Sequence, residues 1–184
     1  TMKLKKFFAG VLAAAMMLTV GATSAFAAGT QPGSKITPNA GQAMVTLTKQ
    51  LTVKNGVAPS GMKFTFEIAP GTADAVNHVV AGEVAEGFQP LSVTMTPAAG
   101  QTYTANPNTP YTAEFSFDLV KLLGENSTKL GKYAYTITEV DPQLPGITKD
   151  NDALNMVVSV VNADNDNPDG SNFAYYVALR KGNT

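Results

Sequence analysis

From Ala43 onward, apolar and polar residues alternate along most of the chain. Val45, Leu47, Leu51 and Val53 share one parity. Phe64, Phe66 and Ile68 form a second run, and Leu91, Val93 and Met95 a third. Tyr111, Ala113, Phe115, Phe117 and Leu119 make the fourth, and Tyr133, Tyr135 and Ile137 the fifth. Leu154, Met156, Val158 and Val160 are the sixth, with Val157 and Val161 on its other face. Phe173, Tyr175, Val177 and Leu179 close the series. Period-two alternation is the mark of a strand with one buried face. About seven short strands separated by turn residues predict an all-β protein, an immunoglobulin-like β-sandwich of two sheets. No long stretch holds a helical period. Thr72 to Phe88 predicts a short helical turn or an irregular loop, and Lys121 to Thr128 is a second break. No internal repeat of 20–50 residues is present.

The alternation makes two residues conspicuous. Lys49 shares the parity of Val45, Leu47, Leu51 and Val53, and Glu139 that of Tyr133, Tyr135 and Ile137. Successive strand side chains point to opposite faces, so both charges are phased toward the core. An isolated buried charge is costly and is normally paired or neutralised. Several arrangements meet that requirement. Lys49 at a strand end would snorkel to water. Glu139 would lie just past its strand, since Asp141-Pro142 follows. A bulge would turn either residue outward. Another arrangement makes chemistry of the pair. A lysine in an apolar pocket has its pKa lowered and can be a neutral amine, hence a nucleophile. A protonated acid beside it polarises a carbonyl by donating a hydrogen bond. If the carbonyl belongs to an Asn side chain, the amine attacks, ammonia leaves and an amide cross-link remains.

The N-terminus changes the picture of where the chain works. After Thr1, Lys3, Lys5 and Lys6 precede an apolar run from Phe7 to Val20, and Ala25-Phe26-Ala27 has the small-x-small cleavage pattern. Residues 1–27 therefore read as a secretory signal peptide. Gly10, Thr19 and Gly21 interrupt the run, which is short for a membrane span of about 20 residues. Residues 28–42, with Gln31-Pro32-Gly33-Ser34, read as a flexible leader, and 43–184 as one domain large enough for a core. Without the signal the chain holds ten Lys and Arg against fourteen Asp and Glu. That balance argues against nucleic acid or an anionic membrane as partner. The chain has no cysteine, so a secreted protein of this kind has no disulfide available. With His78 as its single histidine, multi-histidine metal sites and most histidine acid–base chemistry are removed, and neither a metal nor a cofactor is expected.

Two groups of strand segments carry a family likeness. Val45-Thr-Leu-Thr-Lys49-Gln-Leu51 followed by Phe64-Thr-Phe66-Glu-Ile68 is the first, with Thr112-Ala-Glu-Phe115-Ser-Phe117 after it. Gly131-Lys-Tyr-Ala-Tyr135-Thr-Ile137-Thr-Glu139 is the second. From about Ala43 to the C-terminus the chain resembles the major pilins of Gram-positive bacteria, the FctA-type pilin isopeptide domains. The resemblance implies a structural subunit of a cell-surface pilus, secreted to the cell wall and joined to other pilin subunits by sortase. It implies an intramolecular Lys–Asn isopeptide bond formed autocatalytically in a single turnover, with Lys49 as nucleophile and Glu139 as catalytic acid. The acceptor Asn of these domains lies on the final strand in an F-x-N pattern, which this chain lacks. Asn183 is the nearest asparagine, but after Gly182 it reads as a turn residue. The acceptor is therefore expected beyond Thr184, the domain is expected to be C-terminally truncated, and an open groove is expected beside the lysine strand. Lys181 lies near the region that carries the family's subunit-joining lysine, without matching it residue for residue.

The remaining candidates weaken on inspection. Leu144-Pro145-Gly146-Ile147-Thr148 has the wrong order for a sorting motif and is followed by strands. Asp164-Asn-Asp166-Asn-Pro168-Asp169-Gly170 fails as an EF-hand loop, with Pro168 at position 5 and Tyr175 at position 12, and reads as a polar hairpin. Asn126-Ser127-Thr128 matches a glycosylation acceptor but carries little weight in a bacterial protein. With no G-x-S-x-G elbow either, a hydrolase has no support, and no enzyme acting on a separate substrate is expected. The competing function is a cell-wall adhesin stalk or ligand-binding module of the same fold, with host surface ligands as partners.

Overall fold

The computed structural model describes residues 33–96, 102–105, 110–163 and 170–182, together with the backbone of Leu12–Met17. Its strands in chain order are β1 (Leu12–Met17), β2 (Ser34–Ile36), β3 (Met44–Thr52), β4 (Val57–Ala58), β5 (Met62–Pro70), β6 (Val79–Ala81) and β7 (Leu91–Met95). They continue with β8 (Tyr103–Thr104), β9 (Tyr111–Asp118), β10 (Gly131–Glu139), β11 (Ile147–Thr148), β12 (Leu154–Asn162) and β13 (Phe173–Lys181). One helical segment, α1 (Leu119–Leu123), runs into a 3-10 turn over Gly124–Thr128. Each of the seven alternating runs forms a strand: β3, β5, β7, β9, β10, β12 and β13. Sequence pattern did not single out the six others, most of which are too short to show a period.

Two main sheets form a sandwich-like all-β fold. The smaller has the order β11-β1-β3-β9, and the larger β2-β13-β12-β10-β5-β7, with β6 alongside β10. β10 is central: it pairs antiparallel with β12, from Gly131 opposite Val160 to Ile137 opposite Leu154, and with β5, where Glu139 lies opposite Phe66. The alternating apolar positions meet between the sheets. Val45, Leu47 and Leu51 of β3 join one core with Phe64 and Phe66 of β5, Ile137 of β10 and Met156 of β12. The sheets touch directly where the Phe66 and Phe115 rings stack, 4.7 Å between centroids and 5° apart in plane. Such a pair adds about 0.5–1.5 kcal/mol beyond the area it buries.

Three core tyrosines tie the loops down. Tyr133 donates to the Lys129 carbonyl (3.0 Å), Tyr175 to that of Ser127 (2.9 Å) and Tyr135 to that of Glu83 (3.1 Å). Each ring is buried and each hydroxyl finds a backbone acceptor, which a buried phenol requires. Gly82 lies against the Tyr135 ring, where a Cβ would come within 2.3 Å of Cζ.

The structure departs from the sequence reading in four places. Leu119, read as the end of the fourth strand, starts α1. Asp118 caps it, its carboxylate accepting from the N–H of Val120 at 3.0 Å, and Leu119, Leu122 and Leu123 are buried at helical spacing. The Thr72–Phe88 stretch, expected as a helical turn or loop, contains β6, parallel to β10. Within the expected leader, Ser34–Ile36 forms β2 against β13, with Ile36 buried. Finally, the edge of β3 expected to lie open is filled by β1, antiparallel from Ala13 opposite Thr52 to Met17 opposite Thr48, with Met16 opposite Lys49. An open edge presents unpaired N–H and C=O groups, and an apolar segment of the same chain satisfies them.

Candidate cross-linking site

Lys49 lies near the end of β3, opposite Ala113 of β9, and Glu139 is the last residue of β10. The two strands belong to different sheets, so side chains at inward positions approach each other across the core. Lys49 Nζ lies 2.6 Å from Glu139 Oε2, and both side chains are fully buried. The strand-end and bulge alternatives are therefore not what the chain adopts. Lys49 keeps the phase of Val45 and Leu51, and pairing persists past Glu139, where Val140 donates to the Thr65 carbonyl at 2.9 Å.

The surroundings are apolar and aromatic. Lys49 Nζ stands 4.6 Å from the centroid of the Phe64 ring and 5.8 Å from that of Phe66. Burial pulls the Lys49 amine below its ordinary value. The hydrogen bond that Lys49 donates to Glu139 and the negative charges of Glu139 and Asp150 oppose this, while Lys181 adds to it. On Glu139, Oε2 accepts from Lys49 and, at 3.4 Å, from the backbone N–H of Asp150. Oε1 is buried and, among the described residues, has no hydrogen-bond partner. A buried carboxyl oxygen left unpaired is costly, and marks a place where another polar group fits.

Sequence reasoning missed Asp150, which lies on the loop between β11 and β12 and closes the outer side of the pair. Its carboxylate, 9% exposed, bonds Lys181 Nζ at 2.7 Å. The short polar segment Lys149-Asp-Asn-Asp152 has no periodicity that would have singled it out. Of the other expected site residues, Asn183 lies outside the described residues, as do Asp164–Asp169 of the rejected calcium loop. His78 is an exposed turn residue with a left-handed backbone, φ 55°. Among the described residues, no three His, Cys, Asp or Glu are grouped to hold a metal, and no helix is long and apolar enough to cross a membrane. A groove of about 880 Å³, lined in part by Asn77, Lys132, Asn155 and Arg180, does not include the buried pair.

The sequence profile of the FctA family, described as a Spy0128-like isopeptide containing domain, matches residues 45–175. The chain belongs to the FctA family. No curated protein and no solved structure matches it. The matched span contains both members of the inter-sheet pair, so the charges that the alternation marked as misplaced fall within a pilin-type isopeptide domain. In this FctA domain Lys49 and Glu139 are in contact in the core, both side chains fully buried.

Proposed function

We propose that the protein is a structural subunit of a cell-surface pilus, and that its core closes through an amide between Lys49 and an Asn side chain. The buried Lys49–Glu139 contact, with Glu139 Oε1 left without a partner among the described residues, carries this reading. Lys49 gives its proton toward Glu139 and becomes a neutral amine. Glu139, protonated, donates to the Asn carboxamide oxygen and polarises its carbon. Nζ bonds to Cγ, the Cγ–Nδ2 bond breaks, and Nδ2 leaves as ammonia carrying the displaced proton. The exclusion of water strengthens each of these interactions and suppresses hydrolysis.

β3 pairs with β9 on one edge, and its other edge accepts a strand, held here by β1. Removal of residues 1–27 as a signal peptide would free that edge for a strand carrying the acceptor, which we place beyond Thr184. The secreted subunit, joined to others by sortase, would then carry pulling force through a covalently tied sandwich.

Intact mass of a chain carried past Thr184 tests the bond. The expected result is loss of one ammonia in the wild type, and no loss in Lys49→Ala or Glu139→Ala. An unchanged wild-type mass would sink the proposal. In cell-wall extracts, a ladder of high-molecular-weight species is expected from a polymerised pilin, whereas a single anchored band would favour an adhesin stalk.

A further inference from the structure

The outer face of the larger sheet carries the groove of about 880 Å³, which shares no residue with the buried pair. Sites for small ligands have volumes of about 300–1,000 Å³. The floor is a row of small side chains in register across three strands: Ala134 of β10 opposite Val157 of β12, and Val157 opposite Ala178 of β13. They alternate with core residues, so they face away from the core. The wall is the chain between β5 and β6. Gly71 and Gly82 both donate to the Ala134 carbonyl, at 2.8 and 2.7 Å, so the segment between them leaves the sheet and returns to one point. Asp74 and Val79 close it into a hairpin through two backbone bonds of 2.9 and 2.8 Å. The Asp74 carboxylate accepts from the N–H groups of Val76 (3.0 Å) and Asn77 (3.2 Å) and from the Asn77 side chain (2.6 Å). Lys132 Nζ donates to the Asn77 carbonyl at 3.4 Å and ties the floor to the wall.

Charge and hydrogen-bonding capacity decide what fits this groove. Lys132 stands at one end of the floor, opposite Ser159, and Arg180 at the other, opposite Asn155. The whole chain has a net charge of −1, yet the groove holds these two cations against one carboxylate, Asp74, whose oxygens its own turn occupies. Among the described residues Arg180 has no ion-pair partner. A guanidinium matches the two oxygens of a carboxylate with paired hydrogen bonds. β10 and β12 are paired along both edges, so the floor offers side chains and not the free backbone groups that a peptide strand requires. Asn155 of the floor, fixed by its 2.8 Å bond to the Gly182 carbonyl, and Thr72 of the wall supply an amide and a hydroxyl. Both groups donate and accept hydrogen bonds, as sugar hydroxyls do. We propose that this groove binds a carboxylate-bearing sugar, a uronic or sialic acid. Arg180 holds its carboxylate, Asn155 and Thr72 meet its hydroxyls, and its ring lies over Ala134, Val157 and Ala178.

The test follows backbone amides by NMR in the chain ending at Thr184. It is titrated separately with a glucuronate-containing disaccharide, a trisaccharide ending in sialic acid, a neutral disaccharide and a glutamate-rich peptide. Saturating shifts at Ala134, Val157 and Ala178 are expected with at least one acidic sugar, and binding about tenfold weaker or less with the neutral sugar and the peptide. Arg180→Gln should weaken the acidic sugar about tenfold. Val157→Phe, which fills the floor without changing charge, should abolish its binding. Lys63→Gln removes a cation of β5 outside the groove and should change nothing. The absence of shifts at those amides with both acidic sugars, at millimolar concentration, overturns the proposal. So does equal binding of the neutral sugar, an Arg180→Gln chain that binds as wild type, or a Val157→Phe chain that still binds. A Lys63→Gln chain as weak as Arg180→Gln overturns it in favour of general surface charge, and tighter binding of the peptide overturns it in favour of an acidic protein segment.

Discussion

Replacing Lys49 with Met separates the two contributions of the buried pair. Methionine retains much of the lysine stem, so packing against Phe64 and Phe66 is largely kept while the ammonium is lost. Glu139 then loses its 2.6 Å partner. Among the described residues Oε1 has no hydrogen bond to begin with, and Oε2 keeps the 3.4 Å contact to the Asp150 N–H. Breaking a fully buried pair from one side costs about 3–5 kcal/mol, a large part of the roughly 5–15 kcal/mol that holds a domain together. Replacing both partners tells a different story. Lys49→Met with Glu139→Leu removes two desolvated charges and fills their space with carbon, which is neutral or stabilising by about 1–4 kcal/mol. Urea unfolding of the chain ending at Thr184, at neutral pH, reads both values from the midpoint and slope. The single variant should fall by about 3–5 kcal/mol and the double should return to the wild-type level or above it. A single variant within about 1 kcal/mol of wild type would refute the reasoning, because a carboxylate cannot be left unpaired in this core so cheaply. A double variant as unstable as the single would refute it too, by showing that packing and not charge sets the cost.

Other outcomes follow from the same geometry. Because burial lowers the Lys49 amine, the folded chain releases that proton before the unfolded chain does, whose lysine titrates near 10.5. Wild-type stability relative to the Lys49→Met/Glu139→Leu chain should therefore rise with pH up to about 10.5, and a difference that falls over that window would count against the burial of a charged amine. Asp118 accepts from the N–H of Ala43 at 2.9 Å as well as capping α1, so Asp118→Ala should cost about 1–3 kcal/mol in urea unfolding, with Asn recovering part of it. Gly82→Ala would drive a methyl into the Tyr135 ring; a loss of about 1–3 kcal/mol with a changed near-ultraviolet tyrosine signal is expected, and an unchanged signal would mean the ring moves aside freely. If the proposed Lys49 amide forms, it closes a loop of more than a hundred residues, and the cross-linked chain should exceed its Lys49→Ala form by roughly 5 kcal/mol.

The sequence by itself determined that this is an all-β protein, because strand periodicity is local: each residue's phase is set by its neighbours two positions away. It also marked Lys49 and Glu139 as charges pointing inward, since that too follows from phase alone. The helical turn after Asp118 escaped notice because five residues are too few to show a period, and β2, β4, β6, β8 and β11 because two- or three-residue strands are defined only by the partner they pair with. Only the tertiary structure decided that the two charges meet. They lie 90 residues apart and on different sheets, and nothing in strand phase says which inward position of one sheet faces which of the other. The same holds for Asp150 and Lys181, brought to the mouth of the pair by the register of β12 with β13. The filling of the β3 edge by β1 was likewise decided by pairing across the fold, where unsatisfied backbone groups take the strand within reach.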